Sequence, residues 1–572
     1  MKTLEYLFLQ FCLLLSASAW ADNEAPVIET LADRTIIYPQ RLELSGEETL
    51  LDILEMYPDL MAAGFGDLLA GDDYFDAYQL RMDNVALNGN TRLLLTQIKA
   101  RLISKIQICD NGGVAKGRTG DGRVIDVNLL KPEEGAHGFA SLQGATDKLL
   151  APSANLRYGS EKTDIWSSLT YTHTDVARQV NNAEQLHFQM TNRFSGRDRL
   201  LSYITQSSSV SDSGEKGFSR HGRNESVMAR FRYFHTFNDL GTELLTLFSW
   251  AHKNGPVDIF DASKQMYRRE QSHVNSPIWL LELNTPLFVK NLSMMLGYEG
   301  DLDVTRYGID QQPVNGTSFS EESNLQVMNN DLYLQFNYIA GPLRLTLGDR
   351  IMFYHYRQKG YADDWSKNDT RNHFQFSAIL TPHRRHQVQV AYFRKFRNPS
   401  AGGLFPELWP DLTGVLKGGN PLLEETRTDQ FKLGYSYRKP DMTVSLNGNL
   451  YHTDTDWDYW TINGGVYKKL GLFSLSGGFN VCHLNKADNQ RVTFADVWLS
   501  PVLHLPQNWQ IAAKLIWYSK DAPRRIAADD TSCYASVQIN KQLSGHWDYH
   551  LQWHDIFYRQ RSACLAGIAY RF

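Results

Sequence analysis

Long apolar runs are missing. Beyond residue 21 no stretch of 18 apolar residues occurs, so no helix of this chain is built to cross a membrane. Cysteine is scarce, five in 572 residues, and no two form a CxxC pair. That excludes a zinc-finger framework and a dense disulfide scaffold. Charge of one sign is lacking too: 58 Lys and Arg face 63 Asp and Glu, a formal net charge of −5. Such a balance creates no field that would gather nucleic acid. From residue 135 onward no segment keeps a helical period long enough to compete with a strand. What remains is aromatic: 28 Tyr, 28 Phe and 13 Trp in a chain of mean hydropathy −0.40.

The first residues are a separate matter. "MKTLEYLFLQFCLLLSASAWA" has Lys2, an apolar run from Leu7 to Leu15 and a small-residue end. Ala19 and Ala21 stand at the −3 and −1 positions of an A-x-A-like cleavage site. The run is too short for a membrane anchor. Export is expected, with residues 1–21 removed and Cys109, Cys482, Cys533 and Cys564 left.

Residues 22–134 have mixed character. Ser45 and Glu48 form a capping box, Leu50, Leu51, Ile53 and Leu54 an apolar helical face, and Pro58 a stop. Short strands are expected around Tyr78–Leu80, Val85–Leu87, Ile106–Cys109 and Val124–Leu129, a small α+β unit. The glycines of "GVAKGRTGDG" (113–122) do not make a phosphate loop, because Lys116 is followed by Gly117 and Arg118 rather than Ser or Thr. A tight turn between strands is the better account.

From Gly135 to Phe572 period-two segments of roughly 8–14 residues repeat. "NHFQFSAIL" sets Phe374, Phe376, Ala378 and Leu380 against His373, Gln375, Ser377 and Ile379. Nine short connections punctuate the series, at 159–163, 195–199, 238–242, 340–343, 382–386, 438–441, 468–471, 505–508 and 543–546. Between them run mostly longer polar links, such as 209–224, 254–275, 306–326 and 398–426. About 22 strands, many aromatics and no apolar 20-mer fit a closed antiparallel barrel in lipid. Closure leaves no unpaired edge, which the hydrocarbon requires. The apolar face then points outward and the polar face lines the lumen.

"HWDYHLQWHD" (546–555) invites a metal reading. On a strand His546, Asp548, His550, Gln552 and His554 share one face, but His550 and His554 lie roughly 13–14 Å apart. One ion cannot hold both, since zinc ligands sit about 2 Å from the metal. Lumen lining is the expected role. No Ser/His/Asp order, close carboxylate pair or metal spacing stands out, so neither an enzyme nor a cofactor is expected.

The end of the chain carries a further pattern. Gly567-x-x-Tyr570-x-Phe572 resembles the C-terminal signal by which bacterial outer-membrane barrels reach their assembly machinery. Leu565 stands where that signal usually has a polar residue.

The α+β unit followed by about 22 strands resembles the TonB-dependent receptors, whose plug domain sits inside an outer-membrane barrel. Residues 33–60 look like the plug's opening, with a strand, a T-x-L-D-x-L-like helix and a terminal proline. Residues 85–132 look like its later half. There Leu87-Asn88-Gly89 stands for the hydrophobic-Asp-Gly turn and Ile106–Cys109 for the "IEVI" strand. "FRKFRNPS" (393–400) and "GGNPLLEE" (418–425) are similar to barrel motifs of one subfamily.

Two departures stand out. Arg81-Met82 replaces an arginine-glycine pair, and no segment fully matches a TonB box, although "PVIETL" (26–31) shares its apolar-acid-threonine order. The resemblance implies three parts: a signal peptide (1–21), a plug (22–134) and a barrel (135–572) in the Gram-negative outer membrane. It implies uptake of an unidentified ligand, with outer-membrane lipid, the barrel-assembly machinery, TonB and a surface lipoprotein as partners. The alternative is a structural or assembly component that keeps the plug without energised transport.

Overall fold

The computed structural model describes residues 28–30, 35–41, 50–55, 78–82, 85–86, 98, 100–109, 123–130 and 134–571. From the last range 147, 177–178, 216–217, 262–265, 288–290, 314–317, 360–363, 398–408, 411–415, 418–425, 440, 455–456, 487–490, 520–532, 544–545, 555 and 557–562 are excepted. The signal-cleavage alanines 19 and 21, the glycine turn at 113–122, Leu87-Asn88-Gly89 and Phe572 lie outside the described residues.

Six short strands make the N-terminal sheet: β1 (Ile28–Thr30), β2 (Thr35–Ile37), β3 (Tyr78–Met82), β4 (Val85–Ala86), β5 (Ile103–Cys109) and β6 (Arg123–Leu129). Their order is β1-β2-β5-β6-β3-β4, with β3 and β6 parallel. The helix expected at 45–58 is described as α1 (Leu50–Glu55), and it buries Leu50, Ile53 and Leu54 completely. Those three apolar positions fall on one side of a single turn and a half, which is why so short a helix holds its place.

The remaining strands close on themselves. Gly135–Ala145 pairs with Leu150–Gly159 on one side and with the last strand, Ala563–Arg571, on the other. Glu243–Asn254 and Val257–Asp261 share both neighbours and count as one interrupted strand, which gives 22 antiparallel strands. All nine short connections join consecutive strands at one end of the barrel, and a tenth, at 287–291, belongs with them. Gly341, at φ 56°, takes the left-handed conformation in the two-residue link between Ala340 and Leu343.

Burial is inverted, as the alternation requires. In strand Trp365–His383 the inner Gln375, Ser377 and Ile379 are buried, while Phe376 and Leu380 stand exposed outward. In strand Trp547–His554 Asp548 and Gln552 are buried, and Trp547 and Trp553 are about half exposed. A water-soluble protein of this size would place those tryptophans inside. Here they face lipid.

Three of the links read as loops are strand instead. Residues 209–224, 254–275 and 306–326 lie mostly within strands that reach 22 residues, as in Leu292–Pro313 and Phe319–Ala340. A tilted strand needs only about 9–11 residues to cross the hydrocarbon. The excess projects beyond the membrane, where both faces can be polar. Loss of apolar alternation made these stretches look like loops.

Candidate functional site

The inner faces of the barrel strands meet the N-terminal sheet, and the contact has two kinds of surface. On one side Trp166, Leu201, Tyr203, Met228, Trp498, Ile516 and Tyr534 join the sheet's own core in a single apolar cluster. These come from two groups of strands on one arc of the closed barrel, Thr163–Val176, Asp198–Glu215 and Phe218–Thr236 on one side and Arg491–Leu505, Trp509–Tyr518 and Cys533–Gln542 on the other. Burying such side chains contributes on the order of 1.5–3 kcal/mol each, which seats the sheet against this half of the wall.

The second surface is ionic. Arg230 and Arg232 on strand Phe218–Thr236 are buried within electrostatic range of Arg81 of β3, and Arg232 also of Asp126 of β6 and of Glu282. Next to them the wall carries its own network. Arg350, fully buried, donates from Nε to Asp331 Oδ2 at 2.9 Å and from Nη2 to the same oxygen at 2.6 Å. Its Nη2 also donates to Glu299. Tyr333 donates its hydroxyl proton to Glu282 Oε2 at 2.5 Å, and its ring lies 5.1 Å from the Arg350 guanidinium. Arg81, Arg230, Arg232 and Arg350 thus stand among Asp126, Glu282, Glu299 and Asp331, four cations with four carboxylates. Balanced charge is what permits burial at all, since an unpaired buried ion costs several kcal/mol.

One glycine makes room for this network. Gly297 pairs directly with Tyr333 across the strands, and a Cβ added there would fall inside the Tyr333 ring. The ring lies across the glycine backbone and so reaches Glu282 on the next strand.

Farther from the short turns, the lumen wall becomes aromatic. Tyr354 and Tyr356 stack with centroids 5.9 Å apart at 12°. The Arg371 guanidinium sits 4.1 Å over Tyr354 and donates to the Tyr356 hydroxyl at 3.0 Å and to Asp369 at 2.8 Å. Trp365 donates from its indole nitrogen to Gln358 at 2.6 Å, and Gln358 donates to Ser323 at 3.0 Å. An arginine over aromatic faces, in reach of hydroxyls and amides, suits a polar ligand with an apolar body.

The histidine-rich stretch resolves into separate parts. His550 lies on an inner-face position, with Nδ1 2.7 Å from Asn540 Oδ1. His546 precedes the strand, is exposed, and has its ring 6.0 Å from that of Tyr570 on the outer face, so it leaves the lumen set. The side chain of His554 is outside the described residues. Among the described residues no group of three or more His, Cys, Asp or Glu could hold a metal ion.

Sequence reasoning missed a different histidine. His187 is buried between Trp166 and Tyr203, centroids 4.1 and 4.5 Å away, and neither ring nitrogen has a partner among the described residues. It also missed the ionic junction. A signal was available, since Glu282, Glu299, Asp331 and Arg350 all fall on lumen-facing positions of four consecutive strands.

A family model described as "TonB dependent receptor-like, beta-barrel" matches residues 137–465, more than half of the chain. The chain belongs to this family. As a TonB-dependent-receptor-like protein it is an outer-membrane receptor and transporter, and its ten short turns face the periplasm. The family consists of transporters and receptors, not enzymes, and its members work with TonB in the outer membrane.

Solved structures share the fold at low identity. The copper transporter OprC is 10% identical, with a TM-score of 0.73 over 97% of this chain and 100% of that one. The alcaligin outer membrane receptor FauA from Bordetella pertussis is 10% identical, with 0.69 over 95% of each chain. The ferric yersiniabactin uptake receptor FyuA from Yersinia pestis is 12% identical, with 0.66 over 87% and 89%. A comparison with curated proteins found no match.

Proposed function

We propose that residues 22–134 form a plug that closes the lumen of the barrel at 135–572, and that a ligand reaching it from the cell surface passes when the plug is loosened. The observation that supports this reading is the ionic junction, in which Arg81 and Asp126 of the sheet lie within electrostatic range of Arg230, Arg232 and Glu282 of the wall. Buried charges that open into an aqueous bore regain water, so such a contact can be broken and remade. The aromatic wall around Arg371 would meet the ligand first. Relatives named for copper, ferric yersiniabactin and siderophores support a metal or metal–chelate cargo.

TonB would engage the segment 26–31. Its Ile28–Thr30 is the edge strand β1, with no strand beyond it among the described residues, where another chain could pair. Residues 1–21 would be removed after Ala21, with Ala19 at −3. Gly567, Tyr570 and Phe572 would be read by the assembly machinery. Gly567 is buried on the inner face and Tyr570 is exposed on the outer face of the closing strand, where its ring packs 4.8 Å from Trp547. A surface lipoprotein would be a further partner.

Deleting residues 22–32 tests the coupling. Growth on the cargo should be lost while barrel assembly is kept. Full growth would refute energised transport and favour the structural role. Deleting residues 22–134 should open a pore that conducts ions in planar bilayers. An unchanged, closed channel would sink the plug assignment.

A further inference from the structure

Toward the cell-surface end of the barrel, outward-facing bases keep company with acids. Lys148 meets Asp175 at 2.5 Å, His221 meets Asp212 at 2.5 Å, and His452 meets Asp458 at 2.8 Å. Arg223 pairs with Glu225, Arg269 lies 3.8 Å from Asp258, and Arg394 and Arg427 share Asp429 at 2.9 and 2.5 Å. One sector gathers three bases outside this pattern. Arg306, Arg357 and Lys359 are exposed on the outer face and make no hydrogen bond or ion pair with any described residue.

Register brings these three together. Arg306 is opposite Asn324, and Asn324 is opposite Lys359, so the two bases flank one strand on the same row. Their backbones are then about 9–10 Å apart, and Arg357 is about 7 Å along the strand from Lys359. Side chains of this length can converge on one group between them. His273, opposite Arg306, and His355, two residues below Arg357, share the same outward face. Two carboxylates lie close by on that face, Glu322 two residues beyond Asn324 and the exposed Asp364 next in register opposite Lys359, while Asp310 farther out is held by Ser320 at 2.5 Å.

The patch adjoins the lipid. Met328 and Phe353, exposed and outward, are the outermost exposed large apolar side chains on their strands, and Phe353 precedes Arg357 by four residues. We infer that Arg306, Arg357 and Lys359 bind the phosphorylated headgroup of a glycolipid in the outer leaflet. The position carries the choice of occupant. A ligand seated here faces away from the lumen, so its acyl part lies against Met328 and Phe353 while its anionic part reaches the bases. Three permanent cations against two carboxylates leave a positive excess that suits phosphate, and arginine offers it a bidentate fork.

The test uses full-length protein in detergent, titrated with purified lipopolysaccharide and with the same lipid after enzymatic dephosphorylation. Wild type should prefer the phosphorylated form strongly. A triple variant, Arg306→Gln with Arg357→Gln and Lys359→Gln, should bind it roughly 100-fold more weakly, at about one kcal/mol per basic residue near a charged lipid surface. Glu322→Gln, which removes one of the two local acids, should bind more tightly by about fivefold. Heat-modified gel mobility equal to wild type certifies that each variant is a folded barrel. Equal affinity for the dephosphorylated lipid, unchanged binding by the triple variant, or displacement of the lipid by equimolar inorganic phosphate would each overturn the assignment.

Discussion

Gly297→Ala is the most economical probe of the ionic junction. The added methyl would start well inside the Tyr333 ring, whereas an ordinary Cβ contact begins at 3.4 Å. The ring would have to retreat by more than about 1 Å, and its hydroxyl is fixed at 2.5 Å from Glu282 Oε2. Overpacking of this kind costs about 1–3 kcal/mol. Losing a hydrogen bond to a charged group adds about 1.5–3 kcal/mol, so a total of roughly 2.5–6 kcal/mol is expected. Gly448, with nothing within 4 Å of its would-be Cβ, is the matched control, and Gly448→Ala should change little. The assay is unfolding in urea, followed by tryptophan fluorescence in lipid vesicles. A double-mutant cycle with Tyr333→Ala decides the cause. Once the ring is gone, Gly297→Ala should lose most of its effect. If it destabilises equally with and without the ring, the reasoning fails.

Other consequences can be measured alongside. Arg350→Met leaves Asp331 and Glu299 without their cation and should cost about 3–5 kcal/mol, most of it recovered by adding Asp331→Asn; no recovery would mean that lost packing, not charge, dominates. His187→Phe keeps the ring between Trp166 and Tyr203 and removes two unpartnered nitrogens, so the barrel should unfold at equal or higher urea concentration than wild type. A large loss of stability would show that the imidazole is hydrogen-bonded in the membrane. In the periplasmic link before Met442, burial alone would push the Asp441 carboxyl up, but the hydrogen bond from Lys468 at 2.5 Å holds it below the ordinary carboxylate range. Its contribution is therefore present above the unfolded carboxylate value and lost as pH falls through the depressed one. Both groups are partly exposed, so Asp441→Asn should slightly flatten acid sensitivity below about pH 4, and high salt should erase the difference.

Alternation made the barrel legible because each strand in lipid must separate two solvents. Phe376 and Leu380 against Gln375 and Ser377 already state which side is wet. The periplasmic turns were legible for a local reason, since two- to six-residue links need polar or glycine-bearing sequences such as Gly341-Pro342. Beyond the hydrocarbon that logic lapses. Residues 306–326 can be strand with polar side chains on both faces, because water satisfies either side. The tenth turn, 287–291, escaped notice because Leu287 and Phe288 continue the apolar character of the strand before them. The junction around Arg350 was the hardest part. Its wall members are scattered from Arg230 to Arg350, and only the register of the closed sheet brings Glu282, Glu299, Asp331 and Arg350 side by side.

The two halves of the contact between the N-terminal sheet and the wall differ in what it takes to part them. Separating Trp166, Tyr203, Trp498 and Ile516 from the sheet exposes apolar surface, at about 25 cal/mol for each Å². Water gives nothing back there. Separating Arg81 and Asp126 from Arg230, Arg232 and Glu282 exposes ions that water solvates well, so the net change is far smaller than the Coulomb attraction given up. A force applied through β1 should therefore open the ionic side first and leave the apolar side as a hinge. The aromatic wall around Tyr354, Tyr356 and Arg371 stands on strands Leu343–Lys359 and Trp365–His383, and the first of these also carries Arg350. If the ligand meets this wall, its site and the side that opens first would share one side of the bore.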